Sequence, residues 1–228
     1  MSDWWTYTPA DFLMFSPRVY FRLVERYNQD FWPLQLVFVA GMLAIMVLAS
    51  KQVRFAKVVL LPAFAVAWAF SAWQFLWLRF APITWGATYA AMAFFLQTAL
   101  LLLLSWRASH DILAVSRWRR YGGMALALFG LLLHPFLGLL AARSLAAAEA
   151  FGMMPDPTAI TTLGVLLAMR GRHLWLLLPI PLLWCAFSGL ILTGMEDLGA
   201  VVPIASIFFV AVLLLTSRRS RTHSSEEQ

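Results

Sequence analysis

Long apolar runs separated by short basic breaks repeat along this chain between Trp32 and Thr216. Runs close to the ~20 residues that a helix needs to cross a hydrocarbon layer cover 32–50, 58–77, 83–105 and 121–142. After a break at 153–157, further runs follow at 158–169, 174–193 and 200–216. The run at 158–169 is short: at 1.5 Å per residue it reaches only about 18 Å, against a hydrocarbon core of ~30 Å. It therefore either starts inside the membrane or borrows length from its flanks.

The basic residues argue that it crosses. One alternate set of connections holds Lys51, Arg54, Lys57, Arg107, Arg117, Arg119, Arg120, Arg170, Arg172, Arg218, Arg219 and Arg221. The other holds Arg18, Arg22, Arg26, Arg79 and Arg143, which completes the chain's 17 Lys and Arg. This bias alternates only if 158–169 is a span. With the richer side cytoplasmic, seven crossings result, the N-terminus outside and the C-terminus inside. The fold expected is all-α: a polytopic helical membrane bundle of about seven transmembrane helices over 32–216, preceded by an N-terminal amphipathic interfacial segment over 1–31. A polar tail over 217–228 is expected to be disordered and cytoplasmic.

Within the N-terminal segment, Ser16 and Pro17 read as a helix start, the hydroxyl capping and the proline at the first helical position. Tyr20, Leu23, Val24, Tyr27 and Phe31 then share one face, opposite Arg18, Arg22, Glu25 and Gln29. Two readings fit: a helix lying on the outer leaflet, or one packed over the outer ends of the bundle. The opening residues lack a basic stretch followed by an apolar core, so no cleavable signal is expected. The connection 106–120 reads as a short surface helix whose Arg117, Arg119 and Arg120 contact anionic lipid headgroups.

Composition agrees with lipid as the solvent. Hydrophobic residues make up 62% and charged residues 12% of the chain, and the mean hydropathy is +0.77; a soluble domain carries about twice that share of charge. The formal charge of +6 flanks apolar runs and lines no polar face, so the partners expected are the bilayer and its anionic lipids, with no nucleic acid. The single cysteine, Cys185, excludes an internal disulfide.

Polar chemistry inside the apolar runs is sparse. His134 is the one ionisable residue near the middle of a span. Gly123, Ala127, Gly130, Gly138 and Ala141 share its face, which turns it into the bundle, and Pro135 frees a carbonyl and bends the helix there. It is either a protonatable or solute-contacting group at a bend, or a neutral histidine donating to a neighbouring helix. Gln97 has a similar face and reads as a bond between helices, about 8 Å nearer the cytoplasm than His134. Trp184 and Cys185 read as packing residues, and the remaining tryptophans near the boundaries as an aromatic belt.

The stretch 149–162 carries Glu149, Asp156, Thr158, Thr161 and Thr162 around two prolines. Asp156 is expected to cap the following helix through the amides of Thr158 or Ala159, with Arg143 and Glu149 as its neighbours. Such a break is either a plain exterior loop or irregular backbone dipping into the membrane, as at the sites of transporters. Pro179 and Pro181 free the carbonyls of Trp175 and Leu177.

The segments MSDWWTYTPADFLMFSP, FGMMPDPTAITTLG and LLLPIPLLWC resemble a bacterial family of multi-pass integral membrane proteins of unknown function, loosely labelled permeases. The resemblance implies a bacterial inner-membrane location and carries over no activity and no binding residues. Three function classes follow. A permease for an ion or a small neutral or weakly polar solute would use His134, Asp156, Glu149, Thr158, Thr161 and Gln97. A non-transporting accessory, assembly or sensing subunit would bind another membrane protein. An intramembrane enzyme lacks paired carboxylates, a Ser–His pair and an HExxH motif, and no cofactor or metal site is expected.

Overall fold

The computed structural model describes residues 15–106, 115–141, 143–169 and 171–223. Among these residues the longer helices carry the fold: α1 Pro17–Asp30, α2 Leu34–Ser50, α3 Arg54–Phe80, α4 Gly86–Ser105, α5 Arg117–Leu140, α6 Pro155–Ala168, α7 Pro179–Gly194 and α8 Val201–His223. Three of them are long without being regular. The last ten residues of α3, Ser71–Phe80, are wound as π-helix. α5 passes from α-helix through a π turn at Phe129–Leu133 and a 3-10 turn at His134–Phe136, as expected where Pro135 interrupts the hydrogen-bond ladder. α7 is preceded by a 3-10 stretch, Arg172–Leu177, ahead of Pro179 and Pro181.

Five helical segments are long and apolar enough to cross a membrane: Arg54–Phe80, Gly86–Ser105, Arg117–Leu140, Trp175–Gly194 and Leu198–Thr216. A sixth appears if α1 and α2, which meet at 80°, count as one bent span. Their outward faces carry large apolar side chains such as Leu103, Leu183, Phe208 and Leu215, which fits a membrane location. α6, the helix behind the short fifth of the seven expected crossings, has 14 residues and does not reach that length.

α6 is instead the centre of the molecule. α3, α5, α7 and α8 all pack on it, and every residue from Pro155 to Ala168 is buried. It can sit there because glycine lets two backbones touch. A Cβ on Gly123 of α5 would come within 2.6 Å of the Gly164 carbonyl oxygen, and one on Gly130 within 2.8 Å of the Thr161 amide. The small-residue face of α5 is thus the face that meets α6.

α1 lies across one end of the bundle, the second of the two arrangements its amphipathic pattern allows. Val24 and Tyr27 are buried while Arg18, Arg22 and Arg26 face outward. The Tyr27 hydroxyl donates to the Met153 carbonyl at 3.2 Å, and Asn28 Nδ2 donates to the carbonyls of Ala146 and Ala148 at 2.7 and 2.8 Å. Arg79 at the end of α3 pairs with Asp30 at 3.1 Å and stacks over Tyr27 and Phe31.

Three boundaries differ from expectation. Pro17 opens α1, but the Ser16 hydroxyl makes no capping bond; the Val19 amide, which such a cap would accept from, donates to the Ser16 backbone carbonyl at 3.0 Å instead. Arg117, Arg119 and Arg120 begin the long α5 and do not belong to a separate surface helix; the connection 107–114 lies outside the described residues. α8 continues to His223, past the Thr216 end of its apolar run, since Ser217–His223 contains no helix breaker; residues 224–228 lie outside the described part.

Candidate functional site

The site is built at the α1 end of α6. Pro155 and Pro157 occupy the first turn, where a missing amide costs no hydrogen bond, so they start the helix cleanly. Ahead of them, Gly152 takes φ +77°, and a Cβ there would also collide with the Phe38 ring at 2.5 Å; both facts require glycine. Its amide donates to Thr158 Oγ1 at 2.8 Å, and the same hydroxyl donates to the Met154 carbonyl at 2.7 Å. Thr158 therefore closes the loop 150–154 onto α6. Those five residues are all buried: irregular backbone is held inside protein, as an apolar surrounding demands.

Asp156 does not cap α6. Seated within the first turn, it points sideways to α7, where Oδ1 accepts from Trp184 Nε1 at 2.6 Å and Oδ2 accepts from Ser188 Oγ at 2.6 Å. The cap expectation fails because α7 runs beside that turn and offers side-chain donors, which the carboxylate takes in place of the amides of Thr158 and Ala159. Charge-assisted bonds of this length are strong and fix the carboxylate's orientation. Trp184, read from the sequence as packing, is a hydrogen-bond donor to the site, held in place by a T-shaped contact with Phe94.

His134 reaches the same point from α5. Its exposure is 7%, as is that of Asp156. The backbone carbonyl of Glu149 is the hydrogen-bond partner of its ring, and its Nδ1 is buried without any partner. The Glu149 carboxyl meets the Tyr20 hydroxyl of α1. One ligand-type atom from each of His134, Glu149 and Asp156 lies within 4.8 Å of the others. Arg143 stands at the rim, bonded to Asp197 at 3.4 Å and lying over the Phe21 ring. Burial, then the charge of Asp156 beside it, holds the Glu149 carboxyl well above the usual carboxylate range, with Arg143 working against them.

These groups enclose a cavity of about 20 Å³ lined by His134, Gly138, Arg143, Glu149, Asp156 and Asp197 among others. That volume admits one water or one small ion. Two larger hollows, lined by α4 with α7 and by α5 with α8, are apolar and open outward, as expected of grooves between helices in lipid.

Of the residues singled out in the sequence, His134, Glu149 and Asp156 converge, with Arg143 beside them. Thr158 supports the loop. Thr161 is buried against Gly130 with its hydroxyl unpartnered, and Thr162 accepts from Trp68 Nε1 at 2.9 Å. Gln97 lies apart: its Nε2 donates at 3.0 Å to the Leu177 carbonyl, the one that Pro181 leaves without an amide. Sequence reasoning missed Tyr20, Trp184, Ser188 and Asp197. Tyr20, on the apolar face of α1, carried a hint that it turns inward, and Trp184 and Ser188 stand four apart on one face of α7, but nothing in the chain says that this face meets Asp156 or that Asp197 joins it.

The DUF6064 family, a family of unknown function, matches residues 17–224, and the chain belongs to it. No curated protein and no solved structure matches the chain.

Proposed function

We propose that this member of the DUF6064 family is a membrane permease for a small ion, and that the His134–Glu149–Asp156 pocket is where the ion is held. The observation that carries the reading is the pocket itself: a cavity of about 20 Å³ with a histidine, an arginine and the three carboxyl groups of Glu149, Asp156 and Asp197 at its wall, inside a largely apolar bundle. Buried ionisable groups are costly in such surroundings and mark ion and proton pathways more often than packing. The volume of about 20 Å³ suits an ion better than the neutral or weakly polar organic solute that the sequence left open.

In this reading the chain crosses a bacterial inner membrane seven times. α6 is one crossing, lengthened by the buried loop 150–154 and the 3-10 stretch before α7. The α1 end faces outward, and Arg117, Arg119 and Arg120 meet anionic lipid on the cytoplasmic side. Cysteine labelling from outside tests the orientation: with Cys185 replaced, Ser2→Cys is modified and Ser225→Cys is spared. The opposite result removes the seven-span arrangement.

Function is tested by reconstituting the full chain in vesicles and following the decay of imposed proton and cation gradients. Decay faster than in empty vesicles is expected, and His134→Leu is expected to abolish it while inserting normally. Decay equal to that of empty vesicles for protons and every cation offered overturns the permease. A second reading, a non-transporting sensing subunit, is favoured by one observation: beyond the pocket α6 is pressed backbone to backbone against α5 at the Gly123–Gly164 contact. Ligand binding without flux is the result it expects.

A further inference from the structure

We infer that His134, Glu149 and Asp156 form a binding site for one first-row divalent transition-metal ion; this rests on the pocket assigned above and names the class of ion it takes. Three features carry it. First, the three ligand atoms lie within 4.8 Å of one another, while a tetrahedral centre with bonds of about 2.0–2.1 Å places its ligands about 3.3 Å apart. Rotation of the His134 and Glu149 side chains toward the fixed Asp156 carboxylate would close that difference. Second, His134 lines the cavity and its Nδ1 is buried and lacks any partner, while the Glu149 carbonyl takes the ring's hydrogen bond. A metal-bound histidine is held in this way, by a carbonyl on its other side.

Third, each carboxylate already has the outer partners that orient a ligand: Trp184 and Ser188 on Asp156, and Tyr20 on Glu149. These leave further lone pairs on the carboxylate oxygens free for an ion. Arg143 is matched by Asp197, so the carboxyls of Glu149 and Asp156 are left to balance a doubly charged ion, with any proton on them released as it binds. One imidazole with two carboxylates suits zinc, manganese or ferrous iron better than magnesium or calcium, which prefer oxygen alone. Three protein ligands with a water-sized space beside them leave a fourth position open, as in sites that bind and release or exchange a ligand.

The test uses the full chain in detergent, stripped with a chelator and titrated calorimetrically with Zn²⁺ and Mn²⁺, with Mg²⁺ as control. One saturable Zn²⁺ per chain is expected, raising the thermal unfolding midpoint, with no response to Mg²⁺. His134→Leu and Glu149→Gln are expected to abolish it, and Ser188→Ala, which alters only an outer partner, to weaken it about 10–100-fold. Replacing His110, His173 and His223 together should leave it intact. Absence of saturable Zn²⁺ or Mn²⁺ binding overturns the inference, as does binding unchanged in both His134→Leu and Glu149→Gln. If one variant fails to fold, the other with Ser188→Ala decides. Failure of metal binding with proton flux preserved removes the metal site and keeps the permease; metal binding without flux does the reverse.

Discussion

The two halves of α6 are equally buried and differ in what surrounds them. From Pro155 to Thr162 the helix carries Asp156, Thr158, Thr161 and Thr162, and meets a histidine, a tryptophan N–H, a serine and an irregular loop. From Leu163 to Ala168 it carries no polar side chain and presses its backbone against α5 at Gly164. The dry half gains its stability from close approach, since lipid offers no hydrophobic drive for helices to associate. The polar half depends on having each group satisfied, and two groups there are not: His134 Nδ1 and Thr161 Oγ1. An unpaired buried polar atom costs about 1–3 kcal/mol. The half that tolerates this cost is the half with the cavity.

The comparison breaks most visibly at Gly164. A side chain there would run into the backbones of Gly123 and Ala127, which cannot move aside as a flexible side chain can. Gly164→Leu should therefore cost more than the ~1–3 kcal/mol typical of overpacking, and yield little monodisperse protein in detergent. A thermal midpoint equal to the unaltered chain's would mean that α5 and α6 do not touch there.

Asp156→Ala comes next, because it removes two hydrogen bonds to a carboxylate and leaves Trp184 and Ser188 unpaired. A loss of about 3 kcal/mol is expected, against about 1 kcal/mol for a mere helix cap. Thermal unfolding with an added chemical denaturant separates the two values. Trp184→Phe keeps the ring contact with Phe94 and deletes one donor, so about 1.5 kcal/mol should be lost; a much greater loss would make packing, and not the bond to Asp156, the role of that residue.

Thr161→Val is the smallest and sharpest change. The hydroxyl it removes has no partner, so stability should stay level or rise by up to about 1 kcal/mol. A clear loss in the same unfolding assay would reveal a bond to water or to an ion at that position.

Much of this architecture is legible in the chain. The existence and order of α2, α3, α4, α5, α7 and α8 follow from unbroken apolar length, because a helix satisfies its backbone from its own residues and needs no partner to declare it. The face of α5 that meets its neighbour is readable for a related reason: glycine and alanine at helical spacing leave room for another backbone whatever that backbone is. Gln97 as a bond between helices follows too, since an amide in an apolar run must find a partner. Which partner it finds, the Leu177 carbonyl freed by Pro181, is visible only in three dimensions.

What the sequence determined alone is therefore local: helix positions, the irregular winding around Pro135, the amphipathic face of α1, and the list of polar residues too costly to bury idly. Tertiary structure decided how these meet. It placed the short α6 at the centre, turned Asp156 from its own helix end toward Trp184 and Ser188, and laid α1 across the loop so that Tyr20 reaches Glu149. Its physical reason is distance along the chain. His134, Glu149, Asp156 and Asp197 stand on separate segments with no fixed spacing between them, and their meeting depends on how close the glycines of α5 let α6 approach.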